Sequence, residues 1–286
     1  MNRVRRTAPS LVLSVTSLEL PARATRDRAL EVAGRFREPE SLAVTLVKAL
    51  DAGAEAVYTV PSSRLRAAMR ELRRVVPLLA RLPLTPPSGD LHDEHPLLHG
   101  AAHGGLPGPL AAVAMLPMLA AAWAGDLAPR VAARCEREAP LLDARAWAGI
   151  AIAAPVTDLA LAAGHARFFE RILRWGRFRF GGVAGFETDN LGSLLVALRS
   201  WGIEPDFVIG AVNPTGFAMK PSPDVVIDAM GRSGIPVIAT ELRAGGTVAL
   251  AEGAAFARGH GVHGLAPDLV EMDDVAAELR ALVSTA

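Results

Sequence analysis

The chain has 286 residues, 51% of them hydrophobic and 21% charged, enough for one large core. Thirty basic and thirty acidic side chains balance to zero net charge, so no basic footprint marks nucleic acid as a partner. A lone cysteine, Cys135, excludes a disulfide framework and a Cys-based zinc site.

The N-terminus starts basic, but its apolar run, Leu11 to Val15, is about five residues against the roughly 7–15 of a secretory signal. A cytoplasmic location is the expectation, and the run reads as strand one. A polar, Arg-rich loop, 21–37, follows and is long enough to cover a barrel mouth. Pro39-Glu40-Ser41 opens a helix from Leu42 to Ala52, stopped by Gly53, and Ala54 to Val60 reads as strand two. Arg64 to Arg73 is a helix whose arginines mix with Leu and Met at helical spacing, the pattern of a solvated face. Strand three is Val75 to Leu82.

Residues 83–147 then break the rhythm and read as an insertion, a lid over the mouth. Its first part is rich in Pro, Gly and His. Its second part reads as helix, Leu110 to Ala124 and Ala128 to Arg137. Leu106 to Gly125 carries no charge and has the length of a bilayer span, but Pro107, Pro109, Pro117 and its Ala/Gly content favour a buried barrel helix. No integral membrane segment is expected, and the apolar helices suit a homodimer interface.

Strand four runs from Ala148 to Ala154 and ends in Thr157 and Asp158. Strand five runs from Phe180 to Phe186 and ends in Glu187, Asp189 and Asn190. Strand six, Asp206 to Val212, ends at Asn213. Strand seven, Ile235 to Thr240, ends in Glu241. Strand eight, Gly261 to Ala266, ends at Asp268. Helices closed by Gly202 and Gly234 separate several of these. Eight strands, the last four spaced like βα units, predict an α/β fold of the (β/α)8 TIM-barrel class, one domain over 1–286. An open doubly wound sheet is the alternative; no G-x-G-x-x-G follows strand one.

Barrel strands present chemistry at their carboxyl ends. Those ends supply Thr157, Asp158, Glu187, Asp189, Asn190, Asn213, Glu241 and Asp268, with Lys220 and Arg243 slightly beyond. Acidic and amide groups with two cations suit acid–base chemistry on a small carbonyl- or carboxylate-bearing metabolite. Glu241 or Glu187 would be the base, and Asn213 would polarise the carbonyl. The plainer readings are helix caps for Asp158, Asp189 and Asp268, and an Asn-Pro turn for Asn213.

Lys220 is one of only two lysines in a chain that otherwise uses arginine. A lysine desolvated by burial can form a Schiff base, and arginine cannot. The unit Asp206 to Asp224, DFVIGAVNPTGFAMKPSPD, resembles barrels of the class I aldolase type along most of the chain's architecture. The resemblance implies a Schiff-base lysine from strand six. Here Lys220 follows Asn213 by about seven residues and adjoins the helix start Ser222-Pro223-Asp224, where clamping an anion or sitting at the surface are open alternatives. Strands six to eight are also similar in grammar to aldo-keto-reductase-like barrels, which implies a site tyrosine. Tyr58, the chain's only one, ends strand two. No cofactor motif accompanies it, and no cofactor is expected.

His92, His95, His99 and His103 form a second constellation. On a helix, His95, His99 and His103 share a face and could bind zinc as in a metal-dependent hydrolase. Pro96, Gly100, Gly104 and Gly105 favour a polar lid instead. His260 and His263 fall at the bottom of the barrel. The expected function is a lyase, aldolase or isomerase step. A non-catalytic barrel docking a partner through Leu106 to Gly125 is the alternative from another class.

Overall fold

The computed structural model describes residues 7–19, 26–84, 126–142 and 144–284. His92 to His103 and Leu106 to Gly125 lie outside them. Eight parallel strands, β1 (Val12–Ser14), β2 (Ala56–Thr59), β3 (Pro77–Leu82), β4 (Ala146–Ile152), β5 (Val183–Glu187), β6 (Phe207–Ala211), β7 (Val237–Thr240) and β8 (Gly264–Leu265), pair in sequence order. Bridges Leu11↔Leu265 and Ser14↔Asp268 join the two edges. The sheet is therefore a (β/α)8 barrel rather than an open doubly wound sheet.

Alternation along the strands separates two apolar clusters. Val12, Ala56, Tyr58, Leu79, Phe207, Ile209 and Ile238 fill the inside of the barrel. Val57, Leu78, Ala80, Val208, Val237 and Ala239 point outward into the layer beneath the helices. This period of two also sets the mouth. Ser14 is in phase with Val12, Arg81 with Leu79, Glu187 with Val183, and Thr240 with Ile238. Each polar member of these pairs faces inward above the apolar plug.

The helices form an outer ring: α1 (Arg26–Arg35), α2 (Pro39–Asp51), α3 (Ser63–Glu71), α4 (Leu127–Glu138), α5 (Ala154–Ala162), α6 (Ala166–Phe180), α7 (Leu191–Trp201), α8 (Pro223–Ser233), α9 (Leu250–Gly259) and α10 (Val275–Ser284). Gly202 and Gly234 end α7 and α8 in the left-handed conformation that their missing Cβ permits. Inside, Gly185 on β5 lets Phe207 cross the barrel. A Cβ there would meet the Phe207 carbonyl oxygen at 2.3 Å and its ring at 2.7 Å. Gly185→Ala is expected to lose about 1–3 kcal/mol by overpacking, measured by urea unfolding.

Three local expectations are corrected. The polar stretch 21–37 holds a helix, α1, whose Arg28 and Arg35 bond backbone carbonyls beyond β8. The end of the presumed lid is outer-ring structure: α4 packs on α6, and its buried Glu136 accepts from Arg179 Nε at 2.7 and 2.9 Å. Strand four gives way at Ala153, because Pro155 suits the first turn of a helix and starts α5.

Candidate active site

The carboxyl ends of the strands enclose a cavity of about 380 Å³, at the small end of ordinary metabolite sites. One wall is Tyr58 from β2, Arg81 from β3 and Glu187 from β5. Arg81 donates through Nε to Glu187 Oε2 at 2.5 Å. The same oxygen accepts from the Ala154 amide at 2.9 Å, which ties the pair to the start of α5. Side-chain exposures of 9% and 20% make this a mostly desolvated ion pair.

Tyr58 is 1% exposed. Burial, and then the Glu187 carboxylate beside it, hold its phenol well above the usual range, so it stays protonated at neutral pH. Its hydroxyl lies near the Arg81–Glu187 pair but makes no well-formed hydrogen bond with any described residue. With Glu187 and Arg81 within reach, the hydroxyl belongs to that corner of the cavity, where a ligand's acceptor would compete with the Glu187 carboxylate for its proton.

The adjoining wall comes from β1, β7 and β8. Asp268 accepts from Ser14 Oγ at 2.9 Å, from Ser17 Oγ, and from the Val270 amide at 2.9 Å. It thereby caps a 3₁₀ turn, Leu269–Glu271, that presents Glu271 to the cavity. Burial raises Asp268 above its ordinary value, opposed by those hydrogen bonds. Glu271 moves further, from 4.5 to about 7, through burial first and then the carboxylates of Asp268 and Glu241; Arg243 opposes the shift. Glu241, at the end of β7, has φ +54°, a left-handed backbone that costs a non-glycine residue about 1–2 kcal/mol. Such strain concentrates where a side chain must be aimed.

Two arginines fix the turn. Arg28 of α1 donates to the carbonyls of Val270 and Met272, both at 2.9 Å. Arg243 Nη1 donates to the carbonyl between them, that of Glu271.

Of the residues expected at the site, Tyr58, Glu187, Asp189, Glu241 and Asp268 line the cavity. The others do not. Thr157 is buried and donates to the Ile152 carbonyl. Asp158 binds Thr188 Oγ1 and the Asp189 amide, and Asn190 precedes α7 with its own amide on Thr188. Asn213 has both ends of its side chain on the Phe217 backbone, Oδ1 accepting at 2.9 Å and Nδ2 donating at 2.8 Å. It shapes its own Asn-Pro loop instead of facing a substrate. Lys220 is exposed and stands outside the walls, without the burial that a Schiff-base lysine needs. Arg243 lies behind the turn. His263 Nε2 reaches the Ala8 carbonyl at 2.7 Å, at the opposite end of the barrel.

His95, His99 and His103 fall outside the described residues. Among the described residues no group of three or more His, Cys, Asp or Glu is placed to hold a metal ion, and no helix is long and apolar enough to cross a membrane.

Sequence reading missed Ser14, Thr16, Ser17, Arg81 and Glu271. Arg81 left a signal: a charge in the inward phase of an apolar strand needs a buried partner. Glu271 left none, because the loop that returns it to the cavity is not visible in its neighbours.

No family model and no curated protein matches the chain. Solved structures do. PA4992 from Pseudomonas aeruginosa, named as an aldo-keto reductase, is similar at TM-score 0.56 and 15% identity over 96% of this chain and 90% of its own. Gox0644 in its apo form is similar at TM-score 0.51 and 12% identity, over 96% and 88%. An archaeal fructose-1,6-bisphosphate aldolase reaches TM-score 0.48 and 14% identity, over 97% and 93%, too loose a superposition to support an argument. At these identities the likeness is one of barrel fold alone.

Proposed function

We propose that the chain is an enzyme that moves a proton at a carbon next to the carbonyl of a small metabolite, an isomerase or lyase step. The observation that supports this is Glu271, a carboxyl poised at about 7 on the cavity wall, with the buried Tyr58 lining the same cavity. A general base works best when its pKa lies near the operating pH. Glu271 takes the proton, and burial, then Asp268 and Glu241, keep its pKa high enough to return it. Tyr58 donates its O–H to the carbonyl oxygen as negative charge develops there, the role of an oxyanion donor. The Arg81 charge lies close behind and steadies that oxygen. Glu187 is engaged with Arg81 and the Ala154 amide, which leaves it a positioning role in place of the base role. The reading needs no cofactor, since proton carrier and oxyanion donor are both side chains.

The test is carbonyl-directed hydrogen exchange. Small aldoses and ketoses are incubated with the protein in D2O, and deuterium entering the carbon beside the carbonyl is followed by NMR. The exchange rate is expected to rise with pH through about 7, as Glu271 ionises. Exchange that is absent across the panel, or that is unchanged in Glu271→Gln, would show the assignment to be wrong.

A further inference from the structure

We infer that Arg28 is a positioning residue of the site: reaching from α1, it holds the backbone on both sides of Glu271 and so sets where that carboxyl stands in the cavity. The consequence for the reaction rests on the acid–base reading of the same cavity.

Glu271 is carried by a turn beyond β8, not by a strand. The hydrogen-bond ladder of a strand aims the side chains at its end, whereas a 3₁₀ turn of three residues has few bonds of its own. Here the restraint comes from far along the chain. The Arg28 guanidinium donates through Nε to the Val270 carbonyl and through Nη2 to the Met272 carbonyl, both at 2.9 Å. These acceptors flank Glu271 and lie 242 and 244 residues from Arg28 in sequence. Val270 is 2% exposed and Met272 0%, so water has little access to their carbonyls in place of Arg28.

Arg28 is itself fixed. Its Nη1 meets Glu31 Oε2 at 3.0 Å, one turn further along α1, and its Nη2 meets Asp273 Oδ1 at 2.7 Å, just past the turn. The α1 helix also lies against the turn after β1, Thr16–Leu18. Ser17 of that turn bonds Asp268, whose side chain caps the turn of Glu271. One helix thus braces both the turn that carries Glu271 and the serine turn that holds its capping residue.

A guanidinium presents its N–H donors in a rigid plane and can bridge two carbonyls; an ammonium on a flexible stem does not hold two acceptors in one geometry. The charges that act on Glu271 are those of Asp268, Glu241 and Arg243. Positioning and charge therefore differ in sign. If Arg28 holds Glu271 in place, its loss lets the carboxyl out toward water, relaxes the burial that raises it, and makes it titrate lower. If Arg28 acted only as a nearby positive charge, its loss would make the carboxyl titrate higher.

The experiment follows two readings on the full chain: titration of Glu271 by carboxyl NMR, and the rate of deuterium exchange beside a carbonyl. Arg28→Ala is expected to move Glu271 from about 7 toward 4.5 and to slow exchange by about ten- to a hundredfold, the scale on which a misplacement of about 1 Å acts. Arg28→Lys keeps the charge and is expected to shift Glu271 in the same direction; as the milder change, it decides the matter should the alanine variant not fold. Arg35→Ala removes a bond to the Asp273 carbonyl beyond the turn and is expected to leave both readings at their wild-type values. Glu271 unmoved in both Arg28 variants, or raised in Arg28→Ala, overturns the inference, and so does an equal shift in Arg35→Ala. The two levels separate. Exchange absent in the wild type, with Glu271 moving as expected in the variants, leaves the hold of Arg28 on Glu271 standing and removes the acid–base reading. Exchange that requires Glu271, with its titration unmoved in the Arg28 variants, removes this inference alone.

Discussion

Arg81→Ala is expected to lose about 3–5 kcal/mol of folding stability, the largest loss of any single substitution at the mouth. The reason is the charge left behind. Glu187 has a side chain only 20% exposed and would keep its carboxylate in a space built for an ion pair. The Ala154 amide still donates to it at 2.9 Å, but one neutral hydrogen bond does not replace a guanidinium. Chemical denaturation measures the loss. The double variant Arg81→Met, Glu187→Gln removes both charges and is expected to recover most of it, because the desolvation cost of the pair vanishes along with its attraction. If Arg81→Ala unfolds with wild-type midpoint and slope, the pair is not desolvated as described. Activity should fall in both variants, since neither has a cation behind Tyr58.

Glu271→Gln is expected to lower the exchange activity by about 10²–10⁴-fold, the usual worth of a general base, while making the protein more stable at alkaline pH. The sign follows from linkage. The folded carboxyl titrates at about 7 and the unfolded one at about 4.5. Between those values the folded state binds more protons, so the native contribution is full below about 4.5 and is lost as pH rises through 7. A shift of that size corresponds to about 3 kcal/mol. Above pH 8 glutamine avoids the burial of a charge beside Asp268 and Glu241, and the variant should unfold at a higher urea concentration than the wild type. Near pH 4.5 the two should be nearly equal. Higher stability with lost activity is the expected mark of a site that holds an unfavourable charge for its chemistry. Equal stability at both pH values would place Glu271 in solvent.

The two variants probe the two walls separately. Arg81 and Glu187 are a satisfied pair, and breaking it harms the fold. Asp268, Glu241 and Glu271 are a crowded set of like charges, and relieving it helps the fold. The strained Glu241 backbone belongs to the second wall.

Much of the fold was legible in the sequence, and for a local reason. A parallel barrel strand is a short apolar run bounded by turn residues, and a barrel helix is an amphipathic run closed by glycine. Both signals lie within a dozen residues, which is why all eight strands fall close to their expected places. The helix starting at Ala154 was missed because the residues up to Asp158 were read as the end of strand four, when Pro155 is a first-turn residue.

Composition, periodicity and turn residues therefore determined that this chain is a (β/α)8 barrel and which polar side chains stand at the strand ends around its cavity, including Tyr58, Glu187, Asp189, Glu241 and Asp268. Only the tertiary structure decided which polar groups meet. Arg81 and Glu187 are 106 residues apart in sequence and 2.5 Å apart in space. Asn213 and Lys220 sit at the predicted end of the barrel, yet one is turned into its own loop and the other into solvent. Glu271 gains its character from burial beside Asp268 and Glu241, three carboxyls brought together by two strands and a turn held by Arg28 and Arg243. Local propensity fixes which residues form a strand. Which charges lose their water, and beside whom, is fixed only when the barrel closes.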